Sequence, residues 1–199
     1  MSGPMFPVYD QESCPPESRD TLAAVRADFG MIPNLEGVMA QNPQLLEAYA
    51  STWSLFEQTS LSPAERQIVY MTANFENGCD YCIAWHTMLA KRAGLSDEAV
   101  QDLRNGFVLS EPRLAALQLF TRTMIHRNGN PLPAEFDAFI AAGFEPRHAL
   151  DVVLGIAVKT MSNYTNGMSG PPLDSAVSKH EWNRPSLRTR REENHGSRT

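Results

Sequence analysis

Cysteine is scarce in this chain of 199 residues; the three present are Cys14, Cys79 and Cys82. So small and odd a number excludes a framework of structural disulfides. Long apolar runs are missing as well. No stretch approaches the roughly 18 residues that a membrane-spanning helix needs, so no membrane partner is expected. Positive charge is not in excess: Lys and Arg number 17 against 23 Asp and Glu, a net charge of −6. That balance offers no general surface to a polyanion, and no nucleic acid is expected as a partner. The opening Met1-Ser2-Gly3-Pro4 lacks the basic-then-apolar order of a secretion signal, so a cytoplasmic location is expected. Strand-like alternation is absent throughout, which predicts an all-α fold.

What is there is helix punctuation. Residues 1–18, rich in proline and polar side chains, read as an extended N-terminal arm. Asp20 can cap a helix over 21–29, and Gly30 ends it. A short helix follows over 35–40, then one opened by Asn42 and Pro43 and running to about Gln58. Ser62-Pro63-Ala64-Glu65 is a capping box with proline at the first helical position. It starts a helix that stops at Asn77-Gly78. Further helices are predicted from Cys79 or Asp80 to about Ala93, after Ser96, after Glu111-Pro112, after Leu132-Pro133 and from Glu145-Pro146 to about Asn166. The last is apolar almost all round, as suits a helix central to the core or buried between subunits. One helical domain over 19–177 results, with a flexible polar tail over 178–199. A basic anchoring role for that tail is the alternative to simple solvation.

The run Asn77-Gly78-Cys79-Asp80-Tyr81-Cys82-Ile83-Ala84-Trp85-His86 carries the chemistry. Spacings of three and four put Cys79, Cys82 and His86 on one face of a helix. The first turn of a helix presents free N–H groups and a partial positive charge, both favouring a thiolate over its ordinary pKa of about 8.5. His86, one turn beyond Cys82, can accept its proton directly or through a water. Three readings compete: a redox dithiol, a zinc site, and two buried cysteines that only pack. Zinc needs about four ligands, and His126, His148 and His180 are scattered, so no metal is expected. Tyr81 and Trp85 read as packing residues, and Cys14 as incidental.

The run, written Asn77-Gly78-Cys79-x-Tyr81-Cys82-x-x-x-His86, resembles the signature of the AhpD-like alkylhydroperoxidases in the carboxymuconolactone decarboxylase superfamily. Leu61-Ser62-Pro63-x-Glu65-Arg66, Gly94-Leu95-Ser96, the stretch from Lys159 to Asn166 and Pro172-Leu173-Asp174 resemble the flanking parts. The resemblance implies an AhpD-like helical fold assembled as a homotrimer or homohexamer, and no cofactor. It implies a thiol-dependent peroxidase-like oxidoreductase with a peroxide substrate and a dithiol electron donor. Cys82 would attack the peroxide, Cys79 would resolve the sulfenic acid to a disulfide, and His86 would relay the proton. A non-catalytic member that senses oxidation or binds a partner is the alternative, and a lactone decarboxylase is a further one.

At one position the chain departs from the family. The relay's usual glutamate, twelve residues before the first cysteine, is Gln67, which cannot take a proton. Glu65 stands about 200° round the helix and completes the capping box. Glu76, three residues before Cys79, is the expected replacement, against the plainer reading of a solvated residue at a helix end.

Overall fold

The computed structural model describes residues 5–185. Among these are nine α-helices: Arg19–Phe29 (α1), Asn34–Met39 (α2), Pro43–Glu57 (α3), Pro63–Glu76 (α4), Asp80–Arg92 (α5), Asp97–Asn105 (α6), Pro112–His126 (α7), Pro133–Ala141 (α8) and Pro146–Ser169 (α9). No strand occurs among the described residues. Their boundaries follow the capping chemistry. Asn42 accepts from the Leu45 N–H at the start of α3. The Ser62–Glu65 capping box closes in both directions on α4, at 3.2 and 2.8 Å. Caps of this kind are worth about 1 kcal/mol each.

The central element is α4 rather than the last helix. Every residue from Gln67 to Phe75 is buried, because α4 is packed by α3, α5, α6, α7 and α9. α9 is only half enclosed. Val152, Gly155, Val158, Lys159, Ser162 and Asn163 face inward, whereas Leu150, Val153, Tyr164 and Met168 are exposed. Gly155 is what lets α9 lie close. A Cβ there would stand 2.7 Å from both Phe56 and Val69, inside any tolerable contact. α9 also runs three residues past Asn166, to Ser169, before Gly170 ends it in the left-handed conformation.

Two expected boundaries need correction. The tail does not begin at 178: Ser175–His180 forms a 3-10 helix, Val177 is fully buried and Trp182 nearly so. The indole N–H of Trp182 donates to the Arg104 carbonyl at 2.9 Å, and its ring packs edge-on to Phe75. Arg104 in turn donates to the carbonyls of His180 and Glu181. Apolar burial and three hydrogen bonds hold this stretch down; the rest of the predicted tail, 186–199, lies outside the described residues. The N-terminal arm is likewise docked, with the Tyr9 N–H on the Gly37 carbonyl and Cys14 buried in the core. α1 starts at Arg19, after a 3-10 turn over Pro16–Ser18, so Asp20 lies within its first turn instead of capping it.

Candidate active site

The turn joining α4 to α5 sets the cysteines. Gly78 takes φ +67°, a conformation that costs an L side chain energy, and the Cys79 N–H closes the turn on the Asn74 carbonyl at 2.9 Å. Cys79 is then the N-cap of α5, its sulfur accepting from the Cys82 N–H at 3.3 Å. Both thiols are free and almost wholly buried. α9 clamps the turn from above. The Asn163 amide donates to Asn74 Oδ1 and accepts from Asn77 Nδ2, both at 2.9 Å.

Three α9 residues at i, i+3 and i+4, Lys159, Ser162 and Asn163, act on the Cys82 sulfur. Burial alone would hold this thiol protonated. A hydrogen bond from the Cys79 thiol, the Lys159 ammonium, and hydrogen bonds from Asn163 and Ser162 outweigh burial and lower the Cys82 pKa to about 6. Cys79 goes the other way, pushed up by burial, by its hydrogen bond to Cys82 and by the charge on Cys82. The pair carries one negative charge at neutral pH. That charge belongs on Cys82, where donors converge from α9 as well as from Cys79.

His86 lies on the same face of α5, but its ring is committed elsewhere. Lys159 Nζ lies 3.0 Å from Nε2 and Gln67 Oε1 lies 2.8 Å from Nδ1. An ammonium only donates, so Nε2 is the acceptor and the proton stands on Nδ1, donated to Gln67. Burial, then the Lys159 charge, hold the imidazole well below its ordinary pKa. His86 therefore holds Lys159, and Lys159 polarises Cys82. Both ring nitrogens of His86 are thus engaged by Gln67 and Lys159 rather than by Cys82. That lysine is 1% exposed and lies over the faces of Tyr70 and Trp53, 5.3 and 5.8 Å from their centroids, where ring quadrupoles favour a cation.

Glu76 does not join the thiols. Its carboxylate is taken by Arg122 at 2.6 Å and His126 at 2.7 Å, both on α7. Closeness in sequence to Cys79 is outweighed by two hydrogen-bonding partners on the neighbouring helix. The carboxyl group at the site is Glu36, on α2, which sequence reading leaves unmarked. Cys82, His86, Lys159 and Glu36 line one cavity with about 30 Å³ of room, its wall completed by Tyr49, Trp53, Tyr81 and other apolar residues. Burial, with Cys82 and Asp174 adding to it and the Glu36 backbone N–H and Lys159 opposing, pushes the Glu36 carboxyl up to about 8.

Tyr81 seats Glu36. Pro33 provides no side-chain cap for α2. The first N–H groups are met instead by Asp174 (from Asn34 N, 3.1 Å) and by the Tyr81 hydroxyl (from Leu35 N, 3.2 Å). Tyr81 donates its own proton to Asp174, which also accepts from the Trp85 indole at 2.9 Å. The aromatic residues of the motif thus position the helix that carries the acid. A cleft of about 490 Å³ adjoins the cavity; Phe29, Glu36, Tyr49, Trp53 and Leu89 line both. Among the described residues no cluster of three or more His, Cys, Asp or Glu could hold a metal ion, and no helix is long and apolar enough to cross a membrane.

The all-helical domain, with its buried dithiol at a helix start, has an AhpD-like fold. Residues 43–106 match the model described as the carboxymuconolactone decarboxylase family. That match spans about a third of the chain and marks this segment as similar to the family. Solved structures share the fold. A peroxidase-related protein from Ralstonia eutropha JMP134, described as an alkylhydroperoxidase AhpD core, superposes with a TM-score of 0.76 at 19% identity, over 88% of this chain and 96% of that one. A peroxidase-related protein from Silicibacter sp. TM1040 gives 0.73 at 19% identity, over 89% and 97%. A cysteine-to-alanine variant of the debrominase Bmp8, in complex with 2,3,4-tribromopyrrole, gives 0.73 at 15% identity, over 90% and 96%. No curated protein matches the chain.

Proposed function

We propose that this protein is a cytoplasmic, homo-oligomeric, thiol-dependent peroxidase-like oxidoreductase that reduces organic hydroperoxides through a Cys79–Cys82 dithiol/disulfide cycle. One observation carries the reading: a buried Cys82 sulfur held as thiolate by Lys159, Asn163, Ser162 and Cys79, facing a cavity beside a larger cleft. The Cys82 thiolate attacks the terminal peroxide oxygen; an S–O bond forms, the O–O bond breaks, and an alcohol leaves once its oxygen gains a proton. Cys79 then attacks the sulfenic sulfur, an S–S bond forms and water leaves. An external dithiol returns two electrons and two protons. The cleft's Phe29, Tyr49, Trp53 and Leu89 favour an apolar organic group on the peroxide.

The test is hydroperoxide consumption with a dithiol reductant. Cys82→Ser is expected to abolish every reaction with peroxide. Cys79→Ser is expected to consume one equivalent, leaving a sulfenic acid on Cys82, and to stop. Turnover that survives both changes rules out thiol chemistry. Disulfide formation in a protein that consumes no peroxide catalytically points to a redox sensor.

The aromatic walls of the cleft favour a second reading, reductive dehalogenation of a flat ring, in line with the debrominase among the structural neighbours. There the dithiol supplies two electrons, the ring carbon exchanges halogen for a proton, and halide leaves as the disulfide forms. Stoichiometric bromide release from a bromopyrrole, with no peroxide consumption, would establish that reading in place of the first.

A further inference from the structure

We propose that Glu36 is the general acid of the site, giving its proton to the alkoxide oxygen that leaves when Cys82 cleaves a hydroperoxide. The proposal rests on the peroxidase reading above. It is argued from place and chemistry.

The position that would hold a glutamate in the resembling family is Gln67 here, and its carbonyl is engaged by His86. His86 is a poor donor toward substrate, since its one proton points at Gln67 and its lone pair at Lys159. Glu76 is bound to α7. The Lys159 ammonium is spent on His86 and on the Cys82 charge, and the Cys79 thiol on its hydrogen bond to Cys82, which leaves Glu36 as the group to supply the leaving oxygen's proton.

Glu36 stands where the source is needed. It lines the small cavity with Cys82 and also the wall of the large cleft. A hydroperoxide with its terminal oxygen at the sulfur and its organic group in the cleft places the second oxygen between the two, beside Glu36. Glu36 is 6% exposed and its helix is held at its start by Tyr81 and Asp174, so the carboxyl is largely shielded from water on an anchored helix.

The charges around it give it the right protonation state. Lys159 from α9, Cys82 and Tyr81 from α5, Tyr49 from α3 and Asp174 from the segment after α9 are the titratable groups that act on it or feel it. The two tyrosines stay phenols, because burial first, and Glu36 among the lesser causes, raise both. The balance leaves Glu36 protonated up to about pH 8, while Cys82 loses its proton at about 6. Neighbouring groups pushed apart in this sense are an acid and a nucleophile ready at one pH. The step balances: Cys82–S⁻, RO–OH and Glu36–COOH give Cys82–S–OH, ROH and Glu36–COO⁻. Sulfur is oxidised and peroxide reduced, and Glu36 regains its proton from solvent before the next turnover.

Single-turnover oxidation of the reduced protein, followed by the fluorescence of Trp53 and Trp85, tests this with two peroxides. Cumene hydroperoxide expels an alkoxide that needs a proton; peroxyacetic acid expels a carboxylate that does not. Wild type is expected to show a bell-shaped profile with cumene hydroperoxide, rising through about pH 6 and falling through about 8. Glu36→Gln is expected to lose the falling limb and to slow this peroxide on the order of 100-fold, with peroxyacetic acid close to wild type. Glu36→Asp, which keeps an acid on a shorter stem, should restore part of the rate and the falling limb. Equal slowing of both peroxides in Glu36→Gln, or a falling limb that persists without the carboxyl, overturns the assignment of Glu36 alone. A wild-type protein that reacts with neither peroxide overturns the peroxidase reading and this step with it.

Discussion

Lys159 Nζ lies 3.0 Å from His86 Nε2, and this contact reorders the roles along the motif. A histidine one turn beyond a cysteine invites description as its base. Here the imidazole is the acceptor that orients a buried ammonium, and the ammonium stabilises the thiolate. Lys159→Met should therefore raise the midpoint of Cys82 alkylation by iodoacetamide from about 6 to at least the ordinary ~8.5 of a thiol. The sign follows from the charge: the ammonium favours the anion, and removing it leaves burial to oppose ionisation. At pH 7 the alkylation rate should fall roughly 30-fold or more, as the thiolate fraction does. A midpoint that stays near 6 would show that Asn163, Ser162 and Cys79 suffice without the lysine.

Gln67 tests the other side of the imidazole. Gln67→Glu keeps an acceptor for the Nδ1–H and adds a negative charge beside a ring that burial and Lys159 hold neutral. The His86 pKa should rise, which NMR titration of its ring protons would show as a midpoint moving up from far below the usual histidine range. Gln67→Leu should leave a buried N–H unpaired and cost about 1–3 kcal/mol in urea unfolding. An unchanged unfolding free energy would mean that the ring turns to find another acceptor.

Asp174 gathers Tyr81, Trp85 and the start of α2. Asp174→Ala removes an acceptor shared by three buried or half-buried donors, and a loss of about 3 kcal/mol is expected in urea unfolding. Tyr81→Phe is the milder probe. It deprives the Leu35 N–H of its acceptor, so the helix bearing Glu36 should loosen. Faster amide exchange at Leu35 and Glu36, with the α4 amides unchanged, is the expected result; uniform faster exchange would mean general destabilisation instead.

Glu76 and Glu36 show how much of the site can be read from the chain. Cys79, Cys82 and His86 were legible because helical period alone puts them on one face, and the caps of α3 and α4 were legible because their chemistry is local. Distance along the chain points to Glu76, but its partners Arg122 and His126 lie about fifty residues further on. Glu36 gave no signal, since it lies on a six-residue helix whose start is capped from two other parts of the chain. Lys159, Ser162 and Asn163 did leave one: a polar i, i+3, i+4 face on an otherwise apolar helix. It read as part of a family resemblance, and its chemistry emerges only once α9 is seen to cross the α4–α5 turn. Accordingly, Glu76→Gln should leave the Cys82 alkylation midpoint where it is and lower stability by about 1 kcal/mol or less, as expected for a partly exposed ion pair. A shifted midpoint would return Glu76 to the site.

The outer face of α9 carries the last prediction. Leu150, Val153, Tyr164 and Met168 are 71%, 47%, 67% and 66% exposed, a row of large apolar side chains along one helix. Rows of this kind mark association surfaces, and a proposed trimer or hexamer has to bury something comparable. Leu150 and Lys159 are nine residues apart, which at about 100° per residue places them on opposite sides of the helix. Association and thiol chemistry should therefore separate. Leu150→Glu combined with Tyr164→Glu is expected to give a monomer by light scattering, while the Cys82 alkylation midpoint stays near 6. A wild-type protein that is itself monomeric, or a double variant that keeps the wild-type mass, would remove this face from the interface. A midpoint that shifts on dissociation would instead show that neighbouring subunits complete the environment of Cys82.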